Sequence, residues 1–186
     1  NYIPQVAAVV IENKSGYVVG IVGGRGEKEG SLSLNRALAY HQTGSPTKPI
    51  TVYAPGIDTG VLYLAMTFDN NRISFDGWSP INVTGTYPGM VDVRTAISES
   101  INVVAVLAHR KVGIEVSADY AERFGFEIVR EGEATDMNSA ALALGGYTYG
   151  QTTLALASAY TVFPNGGYRV TPTFYTTVMD SNGNVI

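Results

Sequence analysis

The alternation of apolar and polar positions predicts β-structure near both ends of the chain. Apolar runs cover residues 5–12 and 17–22, and the intervening Asn13-Lys14-Ser15-Gly16 has the composition of a turn. Two such runs joined by a short polar turn predict a β-hairpin. A similar alternation over residues 168–179 predicts β-structure there as well.

The middle of the chain carries helical patterns. Asp92 precedes apolar positions spaced at close to 3.6 residues, which predicts a capped helix. Polar residues at 98, 100 and 102 interrupt this pattern, so a break into two helices is expected. Further helices are predicted over residues 46–54 (ending before Pro55-Gly56), 116–124 and 152–163. Residues 57–91 lack a clean period and are predicted to form a packed loop system, and the order of elements indicates an α+β fold.

Composition narrows the classes of function. The 186 residues are 45% hydrophobic, enough to bury the core of one domain, and the net charge of −4 is scattered without a basic stripe. Nucleic acid is therefore not an expected partner. The chain has no cysteine, and His41 and His109 lack a metal-ligand spacing, so each is expected at the surface or in packing. No apolar run approaches the roughly eighteen residues that span a bilayer, and no signal peptide is visible.

The segment Gly44-Ser45-Pro46-Thr47-Lys48-Pro49 carries candidate chemistry. Residues i and i+3 share one helix face, so the Ser45 hydroxyl and the Lys48 amine can meet, and a neutral amine can activate the hydroxyl for acyl transfer. Pro46 suits the first helical position and predicts that Ser45 is the N-cap, whereas Pro49 disfavours a helical Lys48. The alternative is an ordinary capped helix start with a solvated lysine.

A serine acyl-transfer site also needs a proton relay to the leaving group. A Ser-x-Asn triplet can supply it, and the chain has two of them, Ser33-Leu34-Asn35 and Ser100-Ile101-Asn102. The second lies at the predicted helix break, where a side chain can point into a cleft. An isolated triplet of this kind can equally be a helix break with local hydrogen bonds.

Several motifs together resemble the transpeptidase domain of class A penicillin-binding proteins. The matching segments, in chain order, are residues 16–25, Asn35-Arg36-Ala37, 44–49, Arg94-Thr95-Ala96, Ser100-Ile101-Asn102-Val103, Ala143-Leu144-Gly145-Gly146, 150–154 and 159–167. The resemblance covers nearly the whole chain. It implies the antiparallel sheet with flanking helices of the penicillin-binding protein and serine β-lactamase fold.

The resemblance also implies a reaction and a role for each residue. The substrate is the D-Ala-D-Ala end of a peptidoglycan stem peptide, which β-lactam antibiotics mimic, and no cofactor or metal is implied. By resemblance Ser45 is the nucleophile and Lys48 its base, while Ser100 relays protons and Asn102 holds the substrate amide. The backbone N–H of Ser45 would form half of the oxyanion hole. Ser33-Leu34-Asn35 is then a decoy, since the family places its triplet after the nucleophile.

The family's third motif, Lys-Thr/Ser-Gly, does not follow Asn102 in this sequence, and Lys14-Ser15-Gly16 lies too early to serve. The chain is therefore expected to be the N-terminal portion of one transpeptidase domain, with the C-terminal remainder, possibly a separate chain, as a partner. A glycosyltransferase domain and a membrane anchor are expected upstream in the parent protein. The resemblance places that protein at the extracytoplasmic face of the bacterial cell membrane.

Three further residues are candidates for substrate binding, namely Gly44, Trp78 and Asn82, although a core position suits Trp78 equally. Two alternatives within enzymes are a D,D-carboxypeptidase and a serine β-lactamase. The acids at 131 and 133 with Asn138 lack the Glu-x-x-Leu-Asn spacing of a deacylating site, which disfavours the latter. A non-catalytic β-lactam sensor is the alternative of a different class.

Overall fold

The computed structural model of the chain describes residues 4–27, 30–75 and 77–186 and combines helices with short strands. The strands are β1 (Ala8–Ile11), β2 (Val18–Val22), β3 (Tyr40–His41), β4 (Thr67–Asp69), β5 (Met90–Asp92) and β6 (Gln151–Thr152). The α-helices are α1 (Ala54–Asp58), α2 (Val93–Ser98), α3 (Asn102–Val112), α4 (Ile114–Arg123), α5 (Ser139–Leu144) and α6 (Thr153–Tyr160). The mixture confirms the predicted α+β class.

The chain divides into two compact units. The first contains the residues up to His41 together with Thr152–Ile186, and the second is Gln42–Gln151. In the first unit, β1 and β2 pair antiparallel with Ala8 opposite Val22, which confirms the predicted hairpin. The register shifts between Val10 and Ile11, and α6 packs against β1.

The β-structure predicted for residues 168–179 is wrong as a continuous strand. Only isolated bridges occur there, with Thr173 opposite Tyr17 and Met179 opposite Val185. The Thr173 N–H donates to the Gly16 carbonyl, and the Thr173 carbonyl accepts from the Val18 N–H. Alternation gives a segment two distinct faces, but a strand also needs a neighbouring backbone along its whole length.

The second unit is built around α3. The side chains of α3 are largely buried, and the helix packs against α1, α4, α5 and the turn Pro49–Tyr53 that precedes α1. β4 and β5 pair antiparallel, with Phe68 opposite Val91, and Phe68 packs against the apolar residues of the core. The buried apolar cluster of this unit comprises Val52, Tyr53, Leu62, Val93, Ala105, Val106, Ala108, Val112 and Ala143.

The helix predicted over residues 46–54 is irregular and runs further than expected. A 3₁₀ turn over Ser45–Thr47 leads into a π-helical turn over Pro49–Tyr53, and α1 continues to Asp58. Pro55 does not end the helix because it lies in the first turn of α1, where a missing N–H is tolerated.

The interruption between α2 and α3 confirms the predicted break, and the Asp92 side chain caps α2 by accepting from the Thr95 N–H at 2.7 Å. Helix α5 is absent from the sequence-based prediction. Its six residues, Ser-Ala-Ala-Leu-Ala-Leu, are too few and too uniformly apolar to show a period. Across the described ranges, no helix combines the length and the apolar character that crossing a membrane requires.

Candidate active site

Ser45 begins the 3₁₀ turn at the edge of the second unit's core. The residue before the turn, Gly44, occupies the N-cap position with φ of 61°, so the prediction that Ser45 is the N-cap is wrong. A positive φ suits glycine, whose missing Cβ removes the steric penalty. Ser45 is half-buried, and its carbonyl accepts from the Lys48 N–H, which closes the turn between the two residues.

Lys48 keeps a helical conformation although Pro49 follows it. Its φ of −53° and ψ of −46° are the values that a following proline disfavours. The π-helical turn starts at Pro49, whose missing N–H removes a bond that the regular helix would need there. Single π-helical turns are frequent at functional sites, because they redirect side chains relative to a regular helix.

The Lys48 amine is buried against the break between α2 and α3. Only 2% of Lys48 is exposed, and Nζ donates to the Ser100 carbonyl at 2.7 Å, to Ser100 Oγ at 3.1 Å and to Asn102 Oδ1 at 2.6 Å. An ammonium has three N–H groups, so these three acceptors satisfy the charged form completely. Three of the sequence-predicted residues are therefore joined directly through one nitrogen atom.

Burial lowers the pKa of Lys48 from 10.5 to about 8. Removing the ammonium from water disfavours its charged form, and this loss of hydration is what lowers the pKa. A substantial fraction of the amine is then neutral at mildly alkaline pH. A neutral amine has a lone pair with which to accept a proton.

Ser100 adopts a left-handed conformation with φ of 52°. It ends α2 in a pattern usually completed by glycine, with its N–H donating to the Ile97 carbonyl at 3.2 Å and the Ile101 N–H donating to the Ala96 carbonyl at 3.0 Å. A serine here carries a strain that glycine would avoid, and such strain concentrates at functional sites. The result is that Oγ and the carbonyl of one residue both face Lys48 Nζ.

Asn102 and Asn82 fix the start of α3. The Asn102 amide donates to the Ile81 carbonyl at 2.7 Å, which orients its Oδ1 toward Lys48. Asn82 Oδ1 accepts from the Val103 N–H at 3.1 Å, and its amide donates to Asn70 Oδ1 and the Thr86 carbonyl at 2.8 and 2.9 Å. Asn82 is 5% exposed, and its side chain joins the start of α3 to Asn70 and Thr86.

The chain matches the profile of a known protein family over nearly its whole length. A family profile described as the penicillin binding protein transpeptidase domain matches residues 6–185. The chain belongs to this family. The resemblance identified in the sequence is thereby confirmed.

Curated relatives agree with this assignment. Penicillin-binding protein 1A of Clostridium botulinum (strain Langeland) is 38% identical over 98% of this chain, which spans 23% of that protein. Penicillin-binding protein 1F of Bacillus subtilis (strain 168) is 33% identical over 97% of the chain, which spans 24% of that protein. The chain thus spans about a quarter of the length of these relatives.

Solved structures show the same transpeptidase fold. Penicillin-Binding Protein 1A from Haemophilus influenzae superposes with a TM-score of 0.80 at 27% identity, covering 98% of this chain and 26% of that one. PonA1 from Mycobacterium tuberculosis, in complex with penicillin V, has a TM-score of 0.80 at 25% identity and covers 98% and 49%. The fold predicted by resemblance is confirmed.

In this member of the transpeptidase family, the remaining predicted residues are Gly44, Trp78 and Asn82, the candidates for substrate binding. Trp78 is half-buried, packs against the apolar core, and lines a surface pocket of about 320 Å³ with Phe75, Arg110 and Ser139. Gly44 adjoins Ser45 directly. Their substrate-binding roles stay predictions, whereas Ser33-Leu34-Asn35 belongs to the other compact unit.

His109 is a packing residue, one of the two roles expected for it. It is fully buried on α3, its Nδ1 lies 3.1 Å from Ser139 Oγ, and its Nε2 has no hydrogen-bond partner in the part of the chain that the structure describes. Among the described residues, no group of three or more His, Cys, Asp or Glu side chains could hold a metal ion.

Sequence reasoning missed several polar residues that support the site. Thr47, Thr51, Asn70 and Tyr147 are buried and hydrogen-bonded in or next to it. Thr47 and Thr51 fall four residues apart around Lys48, a spacing that places both on one face of the turn. That spacing is a sequence signal for Thr47 and Thr51, whereas no local pattern links Asn70 or Tyr147 to Lys48.

Proposed function

We propose that this chain carries the nucleophile and proton-transfer residues of a peptidoglycan D,D-transpeptidase that acts through a serine acyl-enzyme. The observation that carries the proposal is the buried Lys48 amine within 3.1 Å of Ser100 Oγ and Asn102 Oδ1, one turn from Ser45. A solvated lysine, the alternative interpretation of the motif, would not make these contacts. Membership of the transpeptidase family supports the same reaction.

The proposed first step is acylation of Ser45. Its Oγ attacks the carbonyl carbon of the penultimate D-Ala, and its proton passes to neutral Lys48 Nζ. The C–N bond then breaks, and the leaving D-Ala nitrogen takes a proton delivered through the Ser100 hydroxyl, which contacts Nζ at 3.1 Å.

The second step transfers the acyl group to an amine of a neighbouring stem peptide. The same relay runs in reverse: the attacking amine loses a proton, and Ser45 Oγ regains one as the acyl–oxygen bond breaks. Asn102 holds the substrate amide, and the Ser45 N–H supplies one oxyanion-hole donor. Gly44, Trp78 and Asn82 would line the substrate groove, and Asn82 also holds the start of α3 through its bond to the Val103 N–H.

We also propose the wider context of the chain. The relatives are about four times as long, which supports a bifunctional class A parent with a glycosyltransferase domain, a membrane anchor and a Lys-Thr/Ser-Gly strand outside these residues. Its site would face the extracytoplasmic side of the membrane, where stem peptides and β-lactams are available. The C-terminal remainder of the domain would be its structural partner.

Labelled penicillin tests the nucleophile. We expect the full-length protein to gain one adduct by intact-mass analysis, and Ser45→Ala to gain none. Ser33→Ala is the matched control, because Ser33 belongs to the decoy triplet, and it should retain the adduct. An adduct that survives Ser45→Ala would falsify the assignment.

A second assay separates the transpeptidase from its alternatives. With a stem pentapeptide and an amine acceptor, a transpeptidase releases D-Ala and forms the new amide, whereas a carboxypeptidase releases D-Ala without it. A sensor forms the penicillin adduct but shows neither product, and a β-lactamase regenerates free enzyme rapidly. Only formation of the new amide supports the proposal.

A further inference from the structure

The end of α5 lies against the nucleophile turn. Gly145 follows α5 with φ of 77°, and the Gly44 N–H donates to its carbonyl at 3.4 Å. A Cβ at Gly145 would come closer than 3.0 Å to the backbone N and O of Gly44 and to Thr43 Oγ1. Glycine is therefore required at 145 both for its conformation and for the close approach of residues 43–44.

Side chains make two further contacts between the same segments. The Tyr147 hydroxyl hydrogen-bonds to Thr47 Oγ1, and the Thr51 hydroxyl donates to the Leu142 carbonyl. Thr47 and Thr51 are fully buried, and Tyr147 is 2% exposed. These contacts bracket Lys48 on both sides along the chain, while Gly145 contacts the residue before Ser45.

The segment Leu142–Tyr147, here called the α5 end, is itself firmly held. The Tyr147 ring meets Phe126 edge to face at 5.9 Å, and its carbonyl accepts from Gln42 Nε2 at 2.6 Å. The next N–H, of Thr148, donates to the buried Asp136 carboxylate at 2.6 Å. A segment tied in this way can serve as a rigid support for a neighbouring turn.

We propose that Gly145 and Tyr147 are positioning residues for the Ser45 nucleophile. Neither reaches a reacting atom; they act through Gly44 and Thr47, the neighbours of Ser45. Acylation needs Ser45 Oγ within a narrow range of distance and angle to its target, and a misplacement of about 1 Å can cost about 100-fold in rate. The inference rests on the proposed role of Ser45.

The first test is Gly145→Ala in the full-length protein, with Gly60→Ala as the matched control. Gly60 has nearly the same φ, 73°, but a Cβ added at Gly60 would meet no atom beyond its chain neighbours within 4 Å. Both variants place an alanine at a similar positive φ, and only Gly145→Ala adds a Cβ against Gly44. We expect the acylation rate constant for labelled penicillin to fall about 100-fold in Gly145→Ala and less than threefold in Gly60→Ala. Equal rates in the two variants would overturn the proposal.

The second test uses variants of Tyr147 and Thr47, and it remains informative even if Gly145→Ala fails to fold. Tyr147→Phe removes one hydroxyl and leaves Thr47 Oγ1 buried without its partner, which lowers stability. Adding Thr47→Val replaces both polar partners by apolar groups of similar shape, so the melting temperature should return toward that of the wild type. If the bond between Tyr147 and Thr47 is purely structural, the acylation rate should recover together with the melting temperature.

Positioning predicts a different result. The rate constant of acylation should stay about tenfold low in Thr47→Val/Tyr147→Phe, with the dissociation constant of the initial penicillin complex unchanged. Recovery of the rate together with the melting temperature would count against the proposal. Ser45→Ala separates failure of the proposed function from failure of the positioning role. A penicillin adduct on Ser45→Ala would contradict the proposed function, whereas normal acylation rates in the Gly145 and Tyr147 variants would contradict only the positioning role.

Discussion

Lys48 is the residue proposed as the base that accepts the Ser45 proton. Its amine has three acceptors, all on Ser100 and Asn102, and burial lowers its pKa to about 8. The charged form therefore donates every proton it has and cannot accept one from Ser45. Loss of one proton frees a lone pair, so in the proposed mechanism acylation depends on the protonation state of Lys48.

A pH profile tests this switch. The acylation rate should rise with pH and level off above an apparent pKa of about 8, because only neutral Lys48 is a base. The measurement is the rate of labelled-penicillin acylation between about pH 6 and 10, over which the label itself must be checked for stability. Lys111→Gln, a change at an exposed lysine of α3, is the control and should leave the profile unchanged. A flat profile, or one that rises only near 10.5, would contradict the assigned role.

At the scale of elements, the short helix α5 matters because its end contacts the turn that carries Ser45. Asn138 caps it, with Oδ1 accepting from the Ala141 N–H at 2.9 Å, and its amide donates to the Thr135 carbonyl at 2.8 Å. A helix of six residues has little stability of its own, so the cap and the packing must hold it.

Asn138→Ala should lower the free energy of unfolding by about 1 kcal/mol, the usual value of an N-cap. Asn138→Ser is the matched control: it loses the same amide donor but keeps an acceptor oxygen for Ala141, so it should lose only part of that stability. Urea unfolding of the two variants and the wild type provides the measurement. Equal stability of the Ala and Ser variants would show that the cap contributes nothing.

The elements also show which parts of the secondary structure can be predicted from the sequence. The hairpin and the break between α2 and α3 were predictable because their signals are local: turn residues between apolar runs, and polar residues within a helical period. Helix α5 was missed, and residues 168–179 were assigned wrongly, because a short apolar stretch has no period and a strand needs a partner that no local pattern specifies.

At the scale of the whole molecule, His109 links core packing to pH. Burial is the main cause that lowers its pKa from 6.5 to about 4, with the nearby Arg110 charge adding to the effect. Between these values the unfolded chain binds a proton that the folded chain does not. The contribution of the neutral His109 ring to the free energy of unfolding is therefore fully present above about pH 6.5. It declines as the pH falls toward 4.

The shift corresponds to a loss on the order of 3 kcal/mol between pH 6.5 and pH 4. His109→Gln should reduce the slope of thermal stability against pH in this range, whatever its effect at neutral pH. His41→Gln, at the exposed histidine on β3, is the control and should keep the wild-type slope. Melting temperatures measured from about pH 4 to 7 make the comparison, and parallel curves for His109→Gln and the wild type would contradict the prediction.

The sequence by itself determined the residue types and their order: Ser45 before Lys48, and Ser100 with Asn102 at a helix break. Such motifs lie within a few residues, so local geometry is enough to recognise them. Only the tertiary structure decided that Lys48 Nζ meets residues more than fifty positions away, that Asn82 bonds to the start of α3, and that the α5 end contacts the turn that carries Ser45. Burial depends on every element packed around a group, and burial is what lowers the pKa of Lys48.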